Sequence, residues 1–154
     1  MVSNNTTYLS LCDRFFSKIK DYDLASMSET TATEIAIGYI PPACLMFESC
    51  NQDLDDRDDI LGEFCFQLSP TNIEILTNFM VIEYIDSNYL RTSSALKSRL
   101  SSADFKSLNL QQQLTKVMEL RSMLKSENDQ LAINKSYKNS ELFDLVLKRK
   151  QVRR

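Results

Sequence analysis

The sequence predicts a mainly α, single-domain helical bundle. Three observations carry this. The 154 residues include only two glycines and three prolines, too few backbone punctuators for a many-turned β sandwich or barrel. Apolar residues recur at spacings of three and four along most of the chain. An apolar fraction of 43% with 25% charged residues supplies one sizeable core and excludes a chain disordered by composition. The expected organisation is a helical bundle domain over residues 1–138 and a docking tail over residues 139–154. The bundle should contain a long C-terminal helix and a short extended segment near 63–68, and the tail is read as extended.

The first helix is expected from Leu9, Cys12, Phe15, Phe16 and Ile19, with Thr6 or Thr7 as its cap. The stretch ASMSETTAT connects it to a second helix starting near Ser28 or Thr31. In TEIAIGYIPPACLMFESC the pair Pro41-Pro42 should push Tyr39-Ile40 out of the α region and start a new helical piece over about 42–50. This stretch has almost no polar face, which predicts burial. Beyond the acidic loop NQDLDDRDDILGEF, the residues Phe64, Phe66 and Leu68 alternate with polar or small ones, as in a strand. Ser69-Pro70 then opens the clearest helix of the chain, with a cap followed by proline in the first turn. Its Ile73, Leu76, Phe79, Met80 and Ile85 should lie inside the bundle, and it is the candidate centre of the fold. The helix is expected to run on to about Leu96. A final long helix, capped by Ser102 or Asp104, should present Leu110, Leu114, Val117, Met118, Arg121, Leu124 and Leu131 to the bundle.

The residues offer little for catalysis. There is no histidine, so the usual general base and commonest metal ligand are both missing. The only glycines, Gly38 and Gly62, stand too far apart for a phosphate loop. Cys12, Cys44, Cys50 and Cys65 have no zinc-ligand spacing and read as reduced thiols of an intracellular protein. An EF-hand register counted back from Gly62 puts Arg57 at loop position one and Leu61 at five, where oxygen ligands are required. The expectation is a protein with no catalytic residue, no cofactor and no metal. MVSNNTTYLSLCDRFF lacks the basic start and apolar run of a signal peptide, and no apolar run approaches a membrane span.

Charge is the more informative property. Residues 1–68 hold 12 acidic and 4 basic side chains, a net of −8, whereas residues 69–154 hold 9 acidic and 14 basic, a net of +5. Such a split suits a subunit that meets different partners at its two ends, or its own copies head to side. Asp53, Asp55, Asp56, Asp58 and Asp59 are therefore candidate intersubunit residues, expected near basic groups of a neighbouring copy or of a partner protein. At the other end, LFDLVLKRKQVRR joins Leu142, Phe143, Leu145, Val146 and Leu147 to Lys148, Arg149 and Lys150. These eight are the candidate partner-docking residues. The apolar part would anchor, and the cations would speed and orient association. Phe143, Leu145 and Leu147 alternate as an added strand would, while Leu142, Leu145 and Val146 stand at helical spacing.

The order of segments carries a resemblance. FESCNQDL, DRDDILGEFCFQL, SPTNIEILTNFMVIEYI and LSSADFKSLNLQQQLTKVMELRSMLKSENDQL follow one another over roughly residues 45–135. In this order the chain resembles the small head–tail connector (adaptor or neck) proteins of tailed bacteriophages, most of all over Ser101–Leu131. The resemblance implies a virion structural protein of the neck, made in the host cytoplasm. It implies a homo-oligomeric ring of about twelve copies below the portal, a closed cyclic assembly. The ring would bind portal and tail or neck proteins, extend the DNA channel close to DNA without reading it, and touch no membrane. The chain departs from the pattern in its last helix, whose basic residues are spread among acids. Two other classes fit the residues. A nucleic-acid-binding regulator would use the basic tail and lose its salt-dependent affinity without residues 148–154. A helical scaffolding or chaperone protein would bind its client transiently.

Overall fold

A computed structural model describes residues 5–20, 22–91 and 104–138. The mainly helical architecture is the one expected, with helices α1 (Tyr8–Lys18), α2 (Tyr22–Ser26), α3 (Glu29–Gly38), α4 (Ile40–Met46), α5 (Pro70–Ile85) and α6 (Asp104–Lys138). A two-stranded antiparallel hairpin, β1 (Arg57–Asp58) and β2 (Glu63–Phe64), lies between α4 and α5.

Helix starts follow from local chemistry. Thr7, Ser28 and Ser69 each accept a bond from a backbone N–H three residues on, at Ser10, Thr31 and Asn72. That satisfies one of the amides left open in a first turn. Pro70 sits in the first turn of α5, where no amide partner is lost. The double proline behaves differently from expectation. Tyr39 stays in the right-handed helical region at φ −86, ψ −11, and α4 already begins at Ile40. Both prolines fall within the first turn of α4, so the chain turns a corner between α3 and α4 without an extended break.

The core forms around α5, which packs on α1, α4 and α6. Ten of its 16 residues are buried, on all sides of the helix. An apolar helix without a polar face is stable only when surrounded. Leu76, Phe79, Met80 and Ile85 are inside as expected; Ile73 is half-buried at the rim, and Ile75 and Ile82 take central places. Phe15 of α1 stacks edge-on with Phe16 and Tyr84, and Phe47 lies 5.9 Å from Phe79 between ring centroids. Beyond Ile85 the helix widens into a π-helical turn, Asp86–Arg91, instead of continuing as α-helix to Leu96; residues 92–103 lie outside the described set.

The 35-residue helix α6 spans about 52 Å at 1.5 Å per residue. It runs antiparallel to α5. Arg121 holds Asp86 at 2.5 and 2.7 Å, Asn128 reaches the Ile75 carbonyl at 3.1 Å, and Lys135 binds Ser69 at 2.8 Å. Its packed stripe is Leu114, Val117, Arg121, Leu124, Asn128, Ala132 and Lys135. Met118 and Leu131, expected on that stripe, are exposed. The small Ala132 and the hydrogen-bonded Asn128 let α5 approach closely, and this rotates the larger side chains outward.

Candidate functional site

Two surface features have a defined geometry. The first is the acidic segment. Tyr8 N–H donates to the Gly62 carbonyl, Phe64 N–H to the Thr6 carbonyl and Thr6 N–H to the Phe66 carbonyl, at 2.8, 2.9 and 3.1 Å. The hairpin is thereby fastened to the entrance of α1, and Thr7 pairs with Glu63. The expected extended segment is thus present at Glu63–Phe64, shorter than 63–68.

The tip of the hairpin is held from inside. One Asp58 carboxylate oxygen accepts from the N–H of Ile60 at 2.9 Å and of Leu61 at 3.0 Å. Gly62 adopts φ +67, a left-handed conformation that costs glycine least. Tyr8 donates its hydroxyl to Asp59 at 2.5 Å. Burial, followed by that bond to a carboxylate, pushes the Tyr8 phenol well above its ordinary range, so it stays a donor. Arg57 donates to the Leu54 carbonyl at 2.8 Å and stands 3.4 Å from Asp55 and 3.5 Å from Asp59. Leu54 is buried and anchors the segment. The structure therefore brings Asp53, Asp55, Asp56, Asp58 and Asp59 together, with Asp58 half-buried and the other four exposed. Asp53, Asp58 and Asp59 also shape the loop itself. Sequence reasoning singled out the acids and passed over Ile60 and Leu61, which are 96% and 71% exposed at the tip. The available signal was an aliphatic pair set against glycine inside a charge run.

The second feature is a groove of about 390 Å³ where the end of α1 meets α5 and α6. Ile19, Val81, Tyr84, Leu120, Leu124 and Leu131 make it largely apolar. Its polar floor is a chain of bonds. Asn128 accepts from Asn78 at 3.0 Å, Asn78 accepts from Lys18, and Lys18 pairs with Glu74 at 2.5 Å. Arg14 reaches the same carboxylate at 2.8 Å. The Lys18 bond above all, with Arg14 adding, holds the Glu74 carboxyl below its ordinary range despite partial burial. The groove was not legible in the sequence, because it depends on how α6 is rotated.

A third cluster is structural. Asn72, fully buried, bonds Asn51, Gln52 and Lys135 at the start of α5. Desolvation draws the Lys135 ammonium below its usual pKa. Cys12 and Cys44 are buried, and burial pushes each thiol up to about 11. A thiol held protonated in this way is a poor nucleophile at neutral pH. Among the described residues no group of three or more Cys, Asp or Glu is placed to hold a metal ion. No helix among them is long and apolar enough to cross a membrane. The candidate docking residues Leu142, Phe143, Leu145, Val146, Leu147, Lys148, Arg149 and Lys150 lie outside the described residues.

No protein-family model matches the chain, and neither does any curated protein or solved structure.

Proposed function

We propose that this chain is a non-enzymatic assembly subunit that works through its surfaces, and specifically a head–tail connector of a tailed phage. In this reading many copies form a ring below the portal, which extends the DNA channel and offers the tail a surface to attach to. The observation that carries it is the hairpin tip. A loop fixed by hydrogen bonds at Asp58, Asp59 and Gly62 presents two large aliphatic side chains to solvent, ringed by carboxylates. Rigid, exposed apolar groups of this kind are expected of interfaces, where pre-ordering lowers the entropy lost on association. Leu120, Met123, Leu131, Ile133 and Tyr137 are likewise exposed along α6. The −8/+5 charge split supports contacts between unlike ends. The order of segments over residues 45–135 supports the phage assignment.

The test is to raise antibody against the chain and probe purified phage particles by immuno-electron microscopy. Label at the neck is expected. Absence of the chain from finished particles would contradict the reading and favour a transient scaffolding role. Salt-sensitive DNA affinity that vanishes on deleting residues 148–154 would favour the regulator.

A further inference from the structure

We propose that the hairpin tip of one copy docks into the α1–α5–α6 groove of a second copy, joining subunits head to side. The inference rests on the assembly-subunit reading and supplies its joint.

The two surfaces match in chemistry. The tip offers Ile60 and Leu61, the groove an apolar wall of Val81, Tyr84, Leu120, Leu124 and Leu131. Their surroundings are opposite in charge. Residues Asp53–Glu63 carry six carboxylates against the single cation Arg57. Lys18 lines the groove and, with Arg14 behind it, shares the carboxylate of Glu74. Lys20 follows the lining residue Ile19, while Lys116 and Lys138 stand one and two turns beyond Leu120 and Leu131 on the same flank of α6. Glu127 is the opposing charge in the lining. An acidic, apolar-tipped loop therefore faces a basic-rimmed apolar groove, the pattern that steers and orients association.

Geometry decides that the joint is between copies. The hairpin is fastened at Thr6 and Tyr8, at the start of α1, whereas the groove is lined by Lys18 and Ile19 at its end. Those 11 residues of helix set the two about 16 Å apart along a rigid rod. The tip cannot fold back into its own groove. Because the joint pairs two different patches, each joined pair keeps one free tip and one free groove. Association of this heterologous kind propagates and closes as a ring or runs on as a filament. A two-residue tip buries little area, so one joint is weak, and closure is what makes the assembly stable.

The test uses the full chain and sedimentation analysis. Ile60→Ser combined with Leu61→Ser removes the tip; Leu131→Glu places a carboxylate in the groove. All three positions are exposed, and circular dichroism should confirm unchanged helicity. Each variant should weaken self-association by about 30-fold, the loss typical of a central interface residue. An equimolar mixture of the two should give a weak, concentration-dependent one-to-one complex and nothing larger, since only one intact tip and one intact groove remain. Assembly that persists in both variants overturns this joint and leaves the ring reading standing. Assembly lost only on deleting residues 139–154 also overturns it, and assigns the groove to the C-terminal segment. A wild-type chain that stays monomeric at all concentrations overturns the joint and the ring together.

Discussion

Replacing Phe79 by alanine is expected to destabilise the fold by about 3–5 kcal/mol, the range for a phenylalanine removed from a packed core. Phe79 is 1% exposed on α5 and packs against Phe47, which follows α4. The loss combines the transfer free energy of the ring with the cavity left behind, because helices on several sides of α5 cannot all collapse into the gap. Urea denaturation followed by circular dichroism should show a lower midpoint at unchanged slope. Leu120→Ala, on the exposed flank of α6, should stay within about 0.5 kcal/mol of wild type in the same measurement. Equal effects of the two substitutions would mean that α5 is not the centre of the bundle.

Asn128→Asp is expected to be of similar size and strongly pH-dependent. Asn128 is 1% exposed; its amide N–H donates to the Ile75 carbonyl and its oxygen accepts from Asn78. A carboxylate keeps the second bond and turns the first into repulsion between two oxygens. A buried charge without compensation costs about 3–5 kcal/mol. Its folded pKa is raised above the unfolded value of about 3.9. The penalty is therefore absent below that pH and reaches its full size as pH rises through the folded pKa. Relative to wild type, the variant should recover on acidification. A penalty equal at pH 4 and pH 8 would contradict the placement of this side chain against the α5 backbone.

Asn128 also marks the boundary of what the sequence makes legible. The starts of α1, α3 and α5 were legible because one or two residues fix them, as Ser69-Pro70 does for α5. The central role of α5 was legible because a helix without a polar face has only one stable place. The rotation of α6 was not. Its apolar residues fall on several faces, so periodicity favoured Met118 and Leu131, whereas the structure buries Asn128 and Ala132. What decides is the set of partners that α5 offers: the Ile75 carbonyl, Asn78 and Asp86. The groove follows from that rotation and was hidden with it. The acidic loop was visible as charge, but its tip was not, because the turn depends on Asp58 capping two amides and Gly62 adopting positive φ. The π-helical turn at Asp86–Arg91 likewise has no periodic signature; the bidentate Arg121–Asp86 pair comes from a partner 35 residues away.

In the proposed assembly, copies of this chain join through unlike patches into a closed ring. Native mass spectrometry of the purified full chain, with negative-stain images of the same sample, tests it most directly. One dominant closed species of fixed copy number, seen end-on as a ring with an open channel, is the expected result. A species that stops at a two-fold dimer, or a monomer at every concentration, would contradict it.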